Sequence, residues 1–378
     1  MNPLHFSENF CRLRRDRGVT QEVVAEFTGV TKGSVSKWET GQSFPDITLL
    51  PKIAAFFDVT IDALLGYDPQ LTKEEIQEQY FKFAEAFVNQ PFNTVMTEIE
   101  EMVKTYYTCY PFLLQICILW MNHCTLADSP QRQQALLDRA LKLCDHILES
   151  CKDIAITNDT LILKASLKLS LGAFQETVDL IADIFTPYQL GSQKHLLLTQ
   201  AYRGLGQEDK ARELLQYSMF SNLLGLVSDA GQYLMLCIDT PEICQKILSR
   251  TDRLIEIFDL DTLHPNTVAQ YHYAAASVLA LQKNTSASLT RLENFVALSL
   301  KLIDKDNFRL HGDAYFDQLD AVFEASALGR RMPRDRRLVI QSLTEALDNP
   351  IFDSLQNKDS LKSMKHRIQR AAETYAEP

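Results

Sequence analysis

Two lysines, Lys32 and Lys37, stand among small polar residues in a short segment near the start of the chain. The apolar residues Val35 and Trp38 lie between and beside them at helical spacing, so one face of the predicted helix is apolar and the other is small, polar and cationic. Ammonium and hydroxyl groups on such a face can donate hydrogen bonds to guanine or to phosphate oxygens in a major groove about 12 Å wide. The chemistry indicated is recognition of double-stranded DNA.

Two short helices joined by a tight turn must position this face. Val23, Val24 and Phe27 have helical spacing, and Gly29 interrupts the pattern before it resumes in the second helix. Thr31 stands where the N-cap of that second helix is wanted. The pattern predicts a helix-turn-helix. From this segment, the residues expected to contact DNA are Thr31, Lys32, Gly33, Ser34, Ser36 and Lys37.

Residues 10–66 resemble the DNA-binding domain of the Xre/Cro and phage-repressor family. The resemblance is carried by Thr20 and Gln21, by Ala25, by SKWE at Ser36 to Glu39, by FPD at Phe44 to Asp46 and by DALL at Asp62 to Leu65. It implies a five-helix domain that docks its third helix in the major groove. It also implies structural roles in the motif for Arg14, Ala25, Gly29, Val35, Trp38 and Glu39.

The resemblance implies two further contacts. The arginine that matches Arg14 pairs with the glutamate that matches Glu39 and holds the first helix on the third, and the glutamine that matches Gln21 binds a DNA phosphate from a helix start. The residues that face the bases match Lys32, Gly33 and Lys37. Since the family's usual glutamines are replaced there, the resemblance implies the docking mode and leaves the operator sequence open.

The charge balance restricts how DNA could be bound. The net charge of the 378 residues is −11, and residues 1–66 contribute only −1 of it, from seven Lys/Arg and eight Asp/Glu. Bulk attraction to nucleic acid is therefore excluded, and a local cationic arrangement is required. The candidate cluster comprises Arg12, Arg14, Arg15, Arg17, Lys32 and Lys37.

The sequence offers no membrane segment. Arginines interrupt the N-terminal region, which argues against a signal peptide. The longest apolar run, Tyr110 to Met121, is shorter than the roughly 20 residues that a bilayer requires. We expect a cytoplasmic protein with no membrane role.

Eight cysteines in a chain of this kind are expected to be reduced thiols. Three pairs share a spacing of seven, which on a helix places both thiols on one face but about 10 Å apart, too far for a disulfide. There is no CxxC motif, and His123 and His146 do not complete a metal set, so we expect no metal site and no cofactor. Core packing is favoured over redox sensing or ligation. The pairs are Cys117 with Cys124, Cys144 with Cys151, and Cys237 with Cys244.

The rest of the chain is expected to be helical. Gly and Pro in GYDPQL mark a boundary, and Thr72 with Glu75 forms a capping box that opens a helix running to about Asn89. We expect residues 1–66 to be the DNA-binding domain, 67–71 a linker, 72–350 a helical array, and 351–378 a capping helix and tail. The fold class is all-α, a repressor-like domain followed by a tetratricopeptide-like α-solenoid.

A period of 34 residues supports the solenoid. Leu171-Gly172 recurs as Leu205-Gly206, and 34 residues is the tetratricopeptide period. The segment Ala201 to Leu215 resembles such a repeat. The pattern predicts helices following each Gly, over Thr177 to Phe185 and Lys210 to Met219, another helix from Pro241, and a hairpin over Asn266 to Ile303. Stacked hairpins of this kind form a concave surface.

These features predict a transcriptional regulator that binds a DNA operator as a homodimer, with an array that dimerises and senses a peptide or protein effector. The layout resembles the peptide-responsive regulators of Gram-positive bacteria. Asparagines that could bind a peptide backbone, Asn122, Asn158 and Asn266, are scattered along the chain. The array is acidic, so we expect a neutral to basic ligand.

Two alternatives differ in class. The array could bind a partner protein, with DNA binding only localising this adaptor. An enzyme is disfavoured because the sequence contains no GxGxxG opening a helix and no GxxxxGK, HExxH or GxSxG motif. The arginine-rich segment Gly329 to Arg337 is interpreted as a solvated loop, with an anion or DNA-backbone contact as the alternative.

Overall fold

The computed structural model describes residues 5–67, 70–182, 194–303, 309–330 and 334–374. These ranges are helical and contain no β-strand, which confirms the all-α fold class. The N-terminal unit comprises α1 (Phe6–Asp16), α2 (Gln21–Thr28), α3 (Lys32–Glu39), α4 (Leu50–Phe57) and α5 (Ile61–Leu65), with a 3-10 turn, Ile47–Leu49, before α4.

Aromatic side chains fill the core of this unit. The Phe10 ring meets the edges of Trp38 and Phe57 at centroid distances of 5.9 and 5.5 Å, which ties α1 to α3 and α4. Val24, Val35, Ile53 and Leu64 complete the core and are each 0% exposed. Every helix of the unit therefore contributes to one core, which fixes the position of α3.

The array follows. Its helices are α6 (Lys73–Asn89), α7 (Phe92–Thr105), α8 (Tyr110–His123), α9 (Pro130–Ser150), α10 (Ile154–Ser170), α11 (Phe174–Ile181), α12 (Lys194–Gly204), α13 (Glu208–Leu236), α14 (Pro241–Ile257), α15 (Leu260–Leu263), α16 (Pro265–Leu281), α17 (Thr285–Leu302), α18 (Leu319–Ala325), α19 (Arg336–Leu347) and α20 (Asp359–Thr374). The predicted capping box is present: the Thr72 hydroxyl accepts from the Glu75 N–H, and the Glu75 carboxylate accepts from the Thr72 N–H. In the part of the chain described, no helix has the length and apolar character to cross a bilayer.

The hairpin turns repeat one backbone geometry. Gly172 and Gly206 have φ of 75° and 71°, and each is followed by an N–H that donates five residues back, to Lys168 and Tyr202 respectively. The turn between α16 and α17 has the same pattern, with Lys283 at φ 62°. Left-handed backbone satisfies the last carbonyls of the first helix and reverses the chain. The 34-residue period therefore corresponds to a repeated turn.

Two predicted helices differ from the structure. α11 begins at Phe174 rather than Thr177, and its predicted end at Phe185 lies outside the described residues. α13 continues to Leu236 instead of ending at Met219. The extension packs on α16, because Gly231 faces Tyr271 and Ala274, with buried Val227 and Leu234 on either side. Tertiary packing overrides the low helix propensity of glycine there.

The array has two hydrophobic cores. One lies within α6 to α10, and the other joins α13 to α20. The end of α18 and the residues after it return to the start of the array. The Lys73 ammonium donates to the Glu324 carbonyl (2.6 Å), the Gln77 amide donates to the Ser326 carbonyl (3.3 Å), and Leu328 packs against the first core. The array therefore closes on itself and encloses space between its cores.

Tertiary packing brings together two cysteines that the spacing of seven did not pair. All eight are free thiols. Cys117 on α8 lies beside Cys144 on α9 inside the first core, and both side chains are 0% exposed. Burial is the main cause that raises the pKa of the Cys117 thiol well above its usual value.

Candidate nucleic-acid interface and array cavity

The turn between α2 and α3 is set by local chemistry. Gly29 adopts φ 78° and ends α2, with its N–H donating to the Ala25 carbonyl at 2.9 Å. The Thr31 hydroxyl accepts from the Ser34 N–H at 3.2 Å and caps α3. Val35 and Trp38 are buried, whereas Lys37 is exposed. The sequence-predicted helix-turn-helix is therefore present, with a polar face directed to solvent.

A network beneath that face joins α1, α2 and α3. The Arg14 guanidinium donates to both Glu39 carboxylate oxygens and, at 2.8 Å, to the Val19 carbonyl. The Gln21 amide donates to Glu39 Oε2 at 2.7 Å. Burial works to raise the pKa of Glu39, but hydrogen bonds from Arg14 and Gln21 outweigh it, and the pKa lies below its usual value. The Arg14–Glu39 pair thus fixes α1 on α3, and Gln21 is held at the start of α2.

The two lysines of the exposed face have different surroundings. Lys32 Nζ lies 2.5 Å from Glu22 Oε1 on α2, with both side chains exposed. Lys32 is the main cause that lowers the pKa of Glu22 to about 2, so the carboxylate is ionised at neutral pH. Lys37 has no carboxylate within ion-pair distance among the described residues.

Most arginines at and next to α1 already contact other groups of the N-terminal unit. Arg12 lies 3.8 Å from the Asp16 carboxylate, Arg14 pairs with Glu39, and Arg17 donates to the Phe56 carbonyl while its guanidinium covers the Phe56 ring. Arg15 is exposed on the same helix. Carboxylates therefore neutralise Arg12 and Arg14, whereas Arg15, Arg17 and Lys37 keep their positive charge without a described carboxylate partner.

A second candidate site is a cavity of about 810 Å³ within the array. Its wall combines α8, α16, α17 and α19 with Arg330 and Arg334, and its volume falls in the range of ligand pockets. Tyr273, Phe295, Leu302, Val339 and Leu343 form apolar wall. The polar lining groups are Asn122, His264, Asn266, Gln270, Ser299, Arg330, Arg334, Ser342, Glu345 and Asn349.

Several of these groups are already hydrogen-bonded. The Asn122 amide donates to the Tyr80 hydroxyl at 3.2 Å, the Asn349 side chain accepts from the Ile351 N–H at 3.0 Å, and Glu345 accepts from Gln341 at 2.8 Å. Asn266 and Gln270 lie one turn apart on α16, and both side chains are exposed. Their amides are available to a ligand in the cavity.

The helix-turn-helix segment is similar to that of known proteins. The helix-turn-helix family model matches residues 12–64. The HTH-type transcriptional activator BcrR of Enterococcus faecalis is 37% identical over 76 residues, which are 20% of this chain and 37% of that protein. The SPbeta prophage-derived HTH-type transcriptional regulator YonR of Bacillus subtilis is 33% identical over 72 residues, 19% of this chain and 67% of that protein.

The chain belongs to the helix-turn-helix transcriptional regulators. A third relative, the HTH-type transcriptional regulator YqaE of Bacillus subtilis, is 35% identical over 60 residues, 16% of this chain and 52% of its own length. The regulator thus matches between about a third and two thirds of the length of these relatives, and the matches span only 16 to 20% of its own chain.

Two solved structures of regulators are similar along most of the chain, at low scores. The apo form of the competence regulator ComR from Streptococcus vestibularis has a TM-score of 0.25 at 11% identity, covering 85% of this regulator and 97% of that chain. PlcR of Bacillus thuringiensis, solved with the peptide PapR7 and DNA, has a TM-score of 0.21 at 14% identity, covering 98% and 96%.

The structure assembles cavity residues that the sequence left apart. Asn122 and Asn266 line the same cavity of the regulator although 144 positions separate them, whereas Asn158 is exposed on α10 outside it. Gln270, Asn349 and Arg334 were not predicted as cavity residues. The spacing of Asn266 and Gln270 on one helix face was the available signal, but it becomes informative only once the array is known to close.

Proposed function

We propose that this regulator binds a double-stranded DNA operator with the exposed face of α3. The observation that supports this most is the burial of Val35 and Trp38, which directs Lys37 into solvent with no described carboxylate partner. A helix held this way presents its N-terminal residues to base edges. The proposed contacts to DNA are Gln21, Thr31, Lys32, Gly33, Ser34, Ser36 and Lys37.

Gln21 and Lys32 each already have a partner within the domain. Gln21 has one amide hydrogen engaged with Glu39, and its second hydrogen remains for a phosphate oxygen. Lys32 exchanges Glu22 for a phosphate or a base when DNA arrives, since the ion pair is exposed and exchange costs little. The Arg14–Glu39 pair keeps its place and orients the helix.

The regulator is proposed to act as a homodimer. A single recognition helix contacts few base pairs, and two half-sites supply the missing affinity. We assign residues 1–66 to DNA binding, 67–71 to a linker, 72–350 to dimerisation and sensing, and 351–378 to a cap. Exposed apolar side chains on α11 to α13, among them Phe174, Leu205 and Leu236, provide area for a protein contact.

The effector is proposed to be a short peptide in the array cavity. Asn266 and Gln270 are one helical turn apart, about 6 Å, and alternate residues of an extended peptide repeat every 6 to 7 Å. Side-chain amides at that spacing can donate to and accept from successive backbone groups of one peptide edge. The neighbouring Tyr273 and Phe295 offer apolar contact for its side chains.

A genome-wide binding footprint of the full-length regulator tests the DNA part of this proposal. A footprint of paired half-sites, with centres about one helical turn (10 base pairs) or a multiple of it apart, supports operator binding by a dimer. A footprint with no common sequence would contradict sequence-specific recognition and favour the adaptor, in which DNA binding serves only for localisation.

The effector part is tested by peptide capture. Full-length regulator is incubated with a mixture of random short peptides, and retained peptides are identified by mass spectrometry. Asn266→Ala with Gln270→Ala is expected to lose them, whereas Asn158→Ala, an exposed asparagine outside the cavity, keeps them. Retention by all variants alike would place peptide binding elsewhere.

A further inference from the structure

Arg330 and Arg334 both line the cavity, and their guanidinium groups differ in their partners. Arg330 is neutralised by two carboxylates, since its Nε lies 2.8 Å from Glu324 and a terminal nitrogen lies 3.2 Å from Asp320. Arg334 lines the same cavity, and among the described residues no carboxylate lies within ion-pair distance of it. The cavity therefore contains a cation without a described counter-charge.

The other charges of the wall do not offset Arg334. Glu345 accepts a hydrogen bond from Gln341 and has no ion pair with Arg334. The next carboxylate along the chain, Asp335, caps α19 through the Arg337 N–H and pairs with the Arg337 guanidinium at 3.2 Å. Both nearby acidic groups thus have other roles.

Arg334 lies at the α8 side of the cavity. Its positive charge works to lower the pKa of the Tyr80 hydroxyl and of His123, two buried groups of α6 and α8. Burial raises the pKa of Tyr80 to about 12, while the hydrogen bond from Asn122 and the charge of Arg334 act in the opposite direction. The Arg334 side chain itself is exposed, so a ligand that enters the cavity from solvent can reach its guanidinium.

We infer that Arg334 receives a carboxylate of the effector peptide inside the cavity. Planar guanidinium binds a carboxylate through two parallel hydrogen bonds, and such charge-assisted pairs are stronger than neutral hydrogen bonds. The carboxylate is either the C-terminal one or that of an Asp or Glu side chain. This inference rests on the proposed peptide-binding function, and it replaces the neutral to basic ligand expected from the average charge of the array.

The test uses full-length regulator and three mixtures of random short peptides: one with free C-terminal carboxylates, one with C-terminal amides, and one with free termini but no Asp or Glu. Retained peptides are identified by mass spectrometry and resynthesised, each also with its carboxylates converted one at a time to amides. Their affinities are then measured for wild type, Arg334→Gln and Arg334→Lys. The matched control is Arg253→Gln, an exposed arginine of α14 outside the cavity.

Loss of one charge-assisted pair is expected to weaken binding about 10- to 100-fold. Wild type should show this loss on amidation of one carboxylate, and Arg334→Gln should bind the acid and amide forms alike, so that the two changes are not additive. Arg334→Lys should recover part of the preference, and Arg253→Gln should match wild type. Sensitivity to C-terminal amidation assigns the C-terminal carboxylate, and sensitivity to a side-chain amide assigns an Asp or Glu.

Two results would overturn the inference, and they differ in what they mean for the proposed function. If peptides are retained but wild type binds acid and amide forms equally, Arg334 does not read a carboxylate while peptide sensing stands. If no mixture yields a retained peptide, the role of Arg334 and the proposed peptide sensing both fail. Circular dichroism of each variant establishes that lost binding is not lost folding.

Discussion

Lys32 on α3 and Glu22 on α2 form an ion pair across the helix-turn-helix, with Nζ and Oε1 2.5 Å apart. The pair holds one of the two lysines of the exposed α3 face against the preceding helix. Because the pKa of Glu22 is lowered to about 2, the carboxylate is charged at every pH near neutrality. Operator binding through Lys32 therefore competes with a carboxylate of the same domain.

Glu22→Gln is expected to strengthen operator binding, because Lys32 no longer has to leave a carboxylate of the same domain before it contacts DNA. The slope of log affinity against log salt should stay close to that of wild type, since Lys32 makes the same contact in both complexes. Titrations by fluorescence anisotropy at several salt concentrations measure both quantities. Glu26→Gln is the matched control, since it removes the same charge from α2 at an exposed position outside the pair. An equal gain in affinity for the two variants would show that Glu22 does not compete with DNA for Lys32.

Glu39→Ala is expected to destabilise the N-terminal unit by about 2 to 4 kcal/mol, because it leaves the Arg14 guanidinium half-buried without its carboxylate. The measurement is urea unfolding in a Trp120→Phe background, where Trp38 is the remaining tryptophan and reports on this unit. Glu8→Ala, an exposed glutamate of α1, is the control. An unchanged unfolding midpoint in Glu39→Ala would show that the Arg14–Glu39 pair does not hold α3 in place.

The same pair predicts a pH dependence. The pKa of Glu39 is lower in the folded state than in the unfolded chain, so its contribution to stability is present above the unfolded pKa, near 4.5, and is lost as pH falls through the folded pKa. The Trp38 unfolding midpoint should therefore decrease on acidification below about pH 5. In Glu39→Gln this decrease should be smaller, and an identical decrease would contradict the assignment.

A buried network in the second core gives a separate pH dependence. Arg291 binds both oxygens of Asp252 at 2.7 and 2.6 Å and donates to His272 Nδ1 at 3.2 Å, and the Tyr271 hydroxyl donates to Asp252 at 3.1 Å. Burial first, and then the Arg291 charge, lowers the pKa of His272 to about 4 from 6.5. The unfolded state thus takes up the proton first as pH falls, and stability decreases between about pH 6.5 and 4.

His272→Gln should remove about 3 kcal/mol of that pH-dependent change, since glutamine can accept from Arg291 without titrating. Urea unfolding followed by circular dichroism across this pH range provides the measurement. His366→Gln, at an exposed position of α20, is the control. If both variants keep the wild-type pH dependence, another group causes it.

Deletion of everything after Gly66 is expected to leave a folded unit, because its core is complete within α1 to α5. The fragment should bind the operator about 100-fold more weakly than the full chain. It lacks the array that joins two DNA-binding units, so binding to the second half-site is no longer an intramolecular step. The operator affinity of the fragment should also stay unchanged when a peptide that the full-length regulator retains is added. Binding titrations of the fragment and the full chain on one operator, with light scattering for oligomeric state, check this. Equal affinity and equal response would show that the array neither dimerises nor senses.

Local features of this fold could be predicted from the sequence because their causes are local. Gly29 in left-handed backbone, Thr31 as an N-cap and the Thr72 capping box each depend on residues within one turn. The Leu-Gly period located two hairpin turns for the same reason. The Lys32–Glu22 pair was not predicted, although both charges were visible, since ten positions separate them across a turn.

The cavity depends on contacts that no local pattern contains. Asn122, Asn266 and Arg334 line one cavity because Lys73 and Gln77 on α6 hold the end of α18 and the residue after it, about 250 positions later in the chain. The curvature of the array decides whether this closure occurs, and curvature accumulates from small rotations at each hairpin. The continuation of α13 past Met219 has a similar origin, in its packing against α16.

Operator recognition by α3 is tested by the affinity of full-length Lys32→Ala/Lys37→Ala for an operator recovered from the genomic footprint. Each lysine that contacts a base is expected to contribute about 1 to 3 kcal/mol, so the double variant should bind at least about tenfold more weakly. Lys246→Ala/Arg253→Ala, two exposed cations of α14, carries the same charge change away from α3 and should bind like wild type. Wild-type affinity in the Lys32→Ala/Lys37→Ala variant, with its fold intact by circular dichroism, would contradict operator recognition by α3.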